Sequence, residues 1–584
     1  MLHRFSIKIG GASGTGINTV GMILSRALKR IGFFTFAYRE YPSLIKGGYA
    51  SYKIEFSDSE LNSTSKYADI NIAIDKASFT HLAKEAEAST IFIYDSDVIQ
   101  LREDDMAILK EKNIQVFSLP LSSKAKEVGG DVIMTNSILI GAVWNLLGLS
   151  PEIITKAVID VFNKTKEIEE NNKKCTIAGF KFLDTQTKLL ERFKPQEFAN
   201  KRISITGNEA ISFGAIASGV RAYFAYPMTP SSSILHVLAK YADKTGMVVK
   251  QAEDEITAAN LTLGANHAGT RAMTATSGGG FDLMTESVSL SGMTETPFVV
   301  VLGQRPGPAT GMPTWTAQSD LNIAIYGGHG EFPRIVLAPG DADECFYLTA
   351  QAHNLAEKYQ TVVIILTDKY IGESIYSTDK FDNNKIKIER GKMLFENFDK
   401  EKERYEYTED GVSERWLPGD RANTFIANSD EHDIHGNSIE DAILTKKIIE
   451  KRLRKEKSIM DSIPEPIIYG TDNADISFVG WGSTKHIILD AMDELERQGK
   501  KINFLHYSYV YPLKVQTLSK FAAKAKKLIL VENNATGQFG NLLARYTNVK
   551  FHERFLKYEG RHFFVEEIIE KAIENEKGSK AKNS

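Results

Sequence analysis

Short apolar runs and amphipathic stretches alternate along most of the chain, and their order predicts its architecture. RFSIKIGG reads as a strand and INTVGMILSRALKRIG as a helix, with apolar positions at helical spacing. TFAYRE, YASYKIEF, ADINIAID and TIFIYDSD read as further strands, with helical patterns between several of them. Strands alternating with helices predict an α/β domain with a mostly parallel sheet over residues 1–190. FKPQEFANKR reads as a linker, and the alternation resumes over residues 200–375. There GNEAISFGAIASGV, SSSILHVLAKYADKTG and DEITAANLTLGANHAG read as helices. AYFAYPMTP, VVKQAEDE, RAMTATSGGG, PFVVVLGQR and TVVIILTDKY read as strands, RAMTATSGGG ending in glycines. Residues 376–465 break the pattern: a polar, irregular stretch and the charged helix LTKKIIEKRLRKEKSI read as an extended connection packed on a surface or a partner. Residues 466–575 give a third α/β unit, with strands ADISFVGWGST, KINFLHYSYVYP and KKLILVEN around the helix KHIILDAMDELERQG, and the tail KGSKAKNS reads as unstructured. The expected fold class is α/β, as three consecutive domains without an internal sequence repeat.

Composition narrows the function. In 584 residues, 42% are hydrophobic and 25% charged, and 71 Lys+Arg against 75 Asp+Glu leave a net charge of −4. Neither nucleic acid nor an anionic membrane is indicated as a partner. Cys175 and Cys345 are the only cysteines and form no CxxC pair. This excludes a disulfide framework, and an iron–sulfur cluster or cysteine-rich zinc site built from this chain alone. It suits a reducing cytoplasm. MLHRFSIKIGG lacks the apolar stretch of a signal peptide, and runs such as Phe298–Leu302 and Val362–Leu366 are too short to cross a bilayer. They read as buried parallel strands.

Candidate chemistry concentrates in the second section. Tyr226-Pro-Met-Thr-Pro230 holds Thr229 between two prolines at a strand end. Glu253-Asp254-Glu255 ends the next strand, and Thr274 to Gly280 ends the one after that. Open α/β sheets bind ligands beyond the carboxyl ends of their strands, where all three segments fall. Arg305 follows another buried strand; it reads either as a bidentate carboxylate clamp or as a surface arginine. Glu255 reads either as a catalytic carboxylate or as an acidic helix start that satisfies the dipole. Near the N-terminus, Gly11, Gly14 and Gly16 between strand and helix read either as a phosphate-binding loop or as a packing turn. Arg39, Lys46 and Gly47-Gly48 follow; they would help hold a phosphate-bearing ligand or make a subunit contact. Asp430, Glu431, His432, Asp433 and His435 could be read as a metal cluster, but without a helical i,i+4 pair a solvated or interface loop is favoured, and no metal site is assigned.

YPMTPSS, QAEDEITAANLTLGA, TATSGGG and GQRPGPATGMPT together resemble the alpha subunit of 2-oxoacid:ferredoxin oxidoreductases. GGASGTGI and REYPSLIKGG resemble that family's gamma domain, here ahead of alpha, and VGWGST, YVYPL and LVENNATGQFGNLL resemble its transketolase C-terminal-like domain. SDEHDIHG and EKRLRKEKS fit the 2-oxoglutarate branch. The resemblance covers nearly the whole chain. It implies a gamma domain over 1–190, a thiamine diphosphate pyrimidine-binding domain over 200–375, a connecting segment over 376–465 and the transketolase C-terminal-like domain over 466–575.

The resemblance also implies a reaction: oxidative decarboxylation of a 2-oxoacid, 2-oxoglutarate or another, to acyl-coenzyme A and CO2, with electrons passed to ferredoxin. Thiamine diphosphate would be shared with a separate beta subunit carrying the Mg2+/diphosphate motif and the [4Fe-4S] cysteines. This chain contains neither: GD, as in PGDADE and PGDRAN, is nowhere followed by a third glycine. A hetero-oligomer of alpha and beta follows. Glu255 matches the family's thiamine-activating glutamate, a carboxylate that bonds the aminopyrimidine ring and promotes loss of the C2 proton. Thr276, Ser277 and Gly278 would join it in cofactor binding. Thr229 and Arg305 would orient the substrate. Coenzyme A would be the co-substrate, with Gly11, Gly14 and Gly16 as candidate phosphate ligands. One departure stands out: after GMPT many members carry a basic residue, and this chain has Trp315. A tryptophan cannot pair a distal carboxylate, so the substrate is a less polar 2-oxoacid or another residue supplies the cation. Two other readings stay open, a non-oxidative thiamine-dependent decarboxylase and a non-catalytic scaffold subunit.

Overall fold

The structure is a computed structural model that describes residues 2–44, 47–129, 131–183, 189–395, 402–419 and 424–580. Lys46, residues 420–423 of the PGDRAN stretch and the last four residues of the tail lie outside the described residues. The chain forms two compact units: residues 1–204 with 374–380 and 564–569, and residues 205–373 with 381–563 and 570–584.

In the first unit, seven strands of one sheet lie in the order Gln115–Leu119, Ile91–Asp95, Ile70–Ala73, Phe5–Ser13, Gly47–Ser57, Phe34–Glu40 and Ile375–Thr378. The first four are parallel, whereas Gly47–Ser57 pairs antiparallel with both of its neighbours. The expectation of a mostly parallel sheet holds for only half of it. Phe34–Glu40 and Gly47–Ser57 are too close in sequence for the crossover that parallel pairing requires. The helices Ile17–Arg30, Thr135–Leu146 and Pro151–Val161 bury Leu24, Ile140 and Val158 in the core beside Ile7 and Ile54.

The second unit contains two sheets. Seven strands run in the order Tyr509–Tyr511, Arg334–Leu337, Val362–Asp368, Phe298–Gln304, Ala272–Thr276, Ala222–Ala225 and Val248–Gln251, all parallel except the first. The runs Phe298–Gln304 and Val362–Asp368 are buried at every position, as central parallel strands must be. The five-stranded sheet has the order Ile467–Gly470, Ile502–Tyr507, Ile476–Trp481, Leu528–Glu532 and Glu553–Leu556. Tyr509–Tyr511 comes from the third α/β section yet pairs with Arg334–Leu337 of the second, so the two sections share a sheet and a core that includes Val336 and Tyr507.

Residues 376–465 carry few regular elements before the helix Ala442–Ser462. Two cations of that helix, Lys451 and Lys455, are buried and both pair with the buried Glu295. The tail also differs from expectation, since the last helix runs from Val565 to Lys580.

Candidate active site

Four strands of the larger sheet deliver the predicted segments to one edge, at their carboxyl ends. Ala222–Ala225 leads into Tyr226 to Pro230, and the peptide between Thr229 and Pro230 is cis. Val248–Gln251 leads into Glu253 and Asp254. Asp254 caps the helix Glu255–His267 by accepting from the Thr257 N–H at 2.7 Å, so Glu255 occupies the first helical position. Ala272–Thr276 leads straight into the helix Gly278–Thr294. The glycines expected to end a strand therefore open a helix, and their N–H groups are the unpaired donors of its first turn. Phe298–Gln304 delivers Arg305.

These segments meet. The Arg305 guanidinium donates to the Thr229 carbonyl at 2.8 Å, which joins the two predicted substrate-binding residues through the backbone of one of them. Gly280 touches both Thr276 and Glu255: a methyl group on it would lie 2.0 Å from Thr276 Oγ1 and 2.6 Å from Glu255 Oε1. Glu255 is 4% exposed. Its Oε1, Thr276 Oγ1 and Ser277 Oγ are buried without a hydrogen-bond partner. Buried polar atoms are rarely left unpaired, and three at one sheet edge mark a surface shaped for a polar ligand. Burial pushes the Glu255 carboxyl above the usual range, and the neighbouring Asp254 charge adds to the rise.

Sequence reasoning missed Asp320. It precedes the short helix Leu321–Tyr326, and its N–H donates to Gln304 Oε1 at 3.0 Å. A Cβ on Gly278 would meet its Oδ2 at 2.8 Å, and that oxygen has no hydrogen-bond partner. Burial raises its carboxyl to about 7, the Asp282 charge adds to this, and Arg305 opposes it. Arg305 is in turn drawn down by burial and supported by Asp320. The SDL stretch signals a helix start, but nothing local says that its carboxyl returns to the TSGGG turn.

The loop from Arg305 to Asp320 is laced to the third section. The Gln318 N–H donates to the Asn533 carbonyl at 2.7 Å, and the Asn533 N–H to Gln318 Oε1 at 2.9 Å. Trp315 is half-buried, with the Arg561 guanidinium carbon 3.1 Å from its ring centroid.

Elsewhere the outcomes are mixed. Gly11 lies inside the strand Phe5–Ser13, opposite Ala50, rather than in a loop, because the pairing with Gly47–Ser57 extends past it. Gly14 and Gly16 do form the turn, at φ of 96° and 88°, in the left-handed region that glycine tolerates. They line a cavity of about 480 Å³ with Asn18 and Arg39 at the start of the helix Ile17–Arg30. His432 is buried, with its ring nitrogens 2.9 Å from the Asp433 carbonyl and 3.2 Å from that of Met293, and Glu431 pairs with Arg452. Among the described residues no three His, Cys, Asp or Glu side chains converge as a metal site. The Gly340-Asp341 pair is a helix start: Asp341 accepts from the Glu344 N–H and pairs with Lys485. No described helix is long and apolar enough to cross a membrane. A cavity of about 650 Å³ lies between helices on residues such as Asn260, Ser289 and Arg452, and none of the candidate catalytic residues lines it.

Three family models match the chain in succession. Residues 6–182 match the pyruvate ferredoxin/flavodoxin oxidoreductase family model. Residues 213–451 match that of the thiamine diphosphate-binding domain of pyruvate flavodoxin/ferredoxin oxidoreductase, and 469–576 match the transketolase C-terminal domain. The 2-oxoacid:ferredoxin oxidoreductase 2 subunit alpha of Aeropyrum pernix is 32% identical, with 96% of each chain covered. The 2-oxoacid:ferredoxin oxidoreductase subunit alpha of a Sulfolobus species is 33% identical, covering 98% of this chain and 96% of that one. The solved 2-oxoglutarate:ferredoxin oxidoreductase of Magnetococcus marinus, with 2-oxoglutarate, coenzyme A and succinyl-CoA bound, superimposes with a TM-score of 0.91 at 30% identity, covering 98% of this chain and all of that one. With such identity over nearly its full length, the chain belongs to the family of 2-oxoacid:ferredoxin oxidoreductase alpha subunits.

Proposed function

We propose that this chain, together with a separate beta subunit, catalyses the coenzyme A-dependent oxidative decarboxylation of a 2-oxoacid to acyl-CoA and CO2, passing the electrons to ferredoxin. The observation that carries the reading is the buried, unpaired Oε1 of Glu255 beside the equally unpaired hydroxyls of Thr276 and Ser277. That set fits the aminopyrimidine half of thiamine diphosphate, which presents both donors and acceptors. When bound, the cofactor supplies the nucleophilic carbon and the electron sink for decarboxylation.

This chain's residues have separable tasks. Glu255 holds a proton shared with a ring nitrogen; its raised affinity for protons suits it to keep that proton rather than lose it to water. Thr276 and Ser277 offer hydroxyls, and Gly278 a free helix N–H, to the ring and its neighbours. Gly280 leaves the space beside the carboxylate open. Arg305 and Thr229 orient the substrate's carboxylate. Mg2+ and the [4Fe-4S] cluster are assigned to the beta subunit, because this chain has two cysteines and no GDG motif. Both cysteines are buried and free, which suits a cytoplasmic complex. Coenzyme A binding is proposed from the ligands named for the Magnetococcus marinus relative. The turn at Gly14 and Gly16, with its cavity, is the candidate for one of its phosphates, and Gly11 drops out of that set.

The test is co-expression with the beta subunit and assay of a panel of 2-oxoacids with a viologen acceptor. The reading expects viologen reduction that needs the 2-oxoacid, thiamine diphosphate and coenzyme A together. Aldehyde release without viologen reduction, or no reduction with any 2-oxoacid, would overturn it.

A further inference from the structure

The carboxyl of Asp320 is fixed inside the site by its backbone. The Asp320 N–H donates to Gln304 Oε1 at 3.0 Å, at the end of the strand Phe298–Gln304. Before it, the third section grips the chain at two consecutive residues. Gln318 Nε2 donates to the Trp481 carbonyl at 2.8 Å, Asn534 Nδ2 to the Gln318 carbonyl at 2.9 Å, and Gln538 Nε2 to the Ser319 carbonyl at 2.7 Å. After it, the helix Leu321–Tyr326 begins, and the Asn322 N–H donates to Gln538 Oε1 at 2.9 Å. The side chain so held reaches the TSGGG turn: a Cβ on Gly278 would meet Oδ2 at 2.8 Å and Oδ1 at 3.2 Å. Oδ2 is buried without a hydrogen-bond partner, as is Ser277 Oγ beside it. Glu255 approaches the same turn at Gly280.

The charges around this carboxyl come from two elements. Arg305, at the end of the strand Phe298–Gln304, faces it as a cation, and also donates to the Thr229 carbonyl at 2.8 Å. Asp282, one turn into the helix Gly278–Thr294, faces it as a like charge. From the third section, the side chains that reach the loop are the neutral Asn534 and Gln538. Glu532 stands behind them and accepts from Asn534 Nδ2 and from the Phe539 N–H, each at 2.7 Å. A 2-oxoacid held by its carboxylate at Arg305 would bring a second anion to the cation that Asp320 already faces. With its backbone tied on both sides and its carboxyl packed on Gly278, Asp320 has no route away from that anion. A proton relieves the repulsion instead. Burial already favours the neutral form, so the proton is held at small cost.

We infer that Asp320 is a positioning residue that acts through Arg305, and that the carboxylate of a 2-oxoacid enters the site together with one proton, which Asp320 holds. The inference rests on the proposed 2-oxoacid chemistry and adds a condition to binding. The proton comes from solvent and returns to it when the anion leaves. A neutral Asp320 leaves Arg305 free to pair with the substrate.

The test uses the alpha–beta complex with thiamine diphosphate, and oxamate as the probe. Oxamate carries the carboxylate of a 2-oxoacid on an amide carbonyl that the cofactor does not attack. Calorimetry at pH 8 in two buffers of different ionisation enthalpy counts the protons taken up for each oxamate bound. The native complex is expected to take up about one, with a Kd that is flat at acid pH and rises up to about tenfold per pH unit above about 7. D320N should take up none, and its Kd should stay flat to pH 9. E255Q should keep the uptake, which assigns the proton to Asp320 and not to the other carboxyl at the turn. If D320N fails to assemble, the pH series on the native complex and on E255Q decides. A pH-independent Kd without uptake in the native complex, no oxamate binding at pH 6.5, uptake that survives D320N, or uptake lost in E255Q would overturn the inference. Uptake with oxamate in a complex that turns over no 2-oxoacid would support it and sink the proposed reaction instead.

Discussion

Oε1 of Glu255 lies so close to the Cα of Gly280 that a methyl group there would stand 2.6 Å away, and 2.0 Å from Thr276 Oγ1. The third glycine of TSGGG is therefore a space requirement for the carboxylate, not a flexible joint. Gly280 sits inside the helix Gly278–Thr294, where alanine would ordinarily be the better helix former. G280A should nonetheless lower turnover at least a hundredfold while costing no more than ~1–3 kcal/mol of stability, the usual scale of overpacking. Activity assay and chemical denaturation of the same preparation check the two halves. Undiminished turnover would show that the carboxylate can move freely.

Asp320 should report on the site through pH. Its carboxyl is raised by burial to about 7, so the neutral form is the one the fold favours. Its stabilising contribution is complete below the ordinary aspartate range and is lost as pH rises through about 7. D320N mimics the neutral form. The melting temperature of the variant relative to the native complex should therefore rise between pH 5 and pH 8, and be nearly flat above that. A constant difference across this range would show that Asp320 is charged throughout.

A different cluster carries stability. Glu295 is fully buried at the end of the helix Gly278–Thr294, with Lys451 Nζ at 2.5 Å and Lys455 Nζ at 2.6 Å. Burial opposes its charge, but the two ammoniums outweigh burial and hold the carboxyl well below its usual range. Its contribution is present above the ordinary glutamate range and is lost only at strongly acid pH. Removing one partner of a buried charge set leaves the others uncompensated. E295Q should cost ~3–5 kcal/mol by denaturant titration at pH 7. A cost under ~1 kcal/mol would mean that the lysines find water.

These residues show what was legible in the sequence. Glu255, Thr229, Arg305 and the TSGGG turn sit at ends of apolar strands, and the rule that ligands gather there brings them together without a structure. The space that Gly280 leaves beside Glu255, and the place of Asp320 in the site, were not legible. Each matters through a contact between segments distant in sequence or through a shape that no local pattern encodes. The charged helix Ala442–Ser462 reads as packed on a surface or a partner, but the residue its lysines pack on, Glu295, some 150 residues earlier, carries no local signal. In the N-terminal section, antiparallel pairing of Gly47–Ser57 carried the strand past Gly11; no described helix separates that strand from Phe34–Glu40, so the alternation that predicts parallel pairing is broken there.

The central claim is that Glu255 activates bound thiamine diphosphate. The most direct measurement is exchange of the cofactor's C2 proton with deuterated solvent in the alpha–beta complex, compared between native protein and E255Q and quenched in acid before analysis. This readout needs neither substrate nor ferredoxin. If Glu255 has the assigned role, exchange falls ~10²–10⁴-fold in E255Q while cofactor affinity stays within about tenfold. Exchange in E255Q as fast as in the native complex would contradict it.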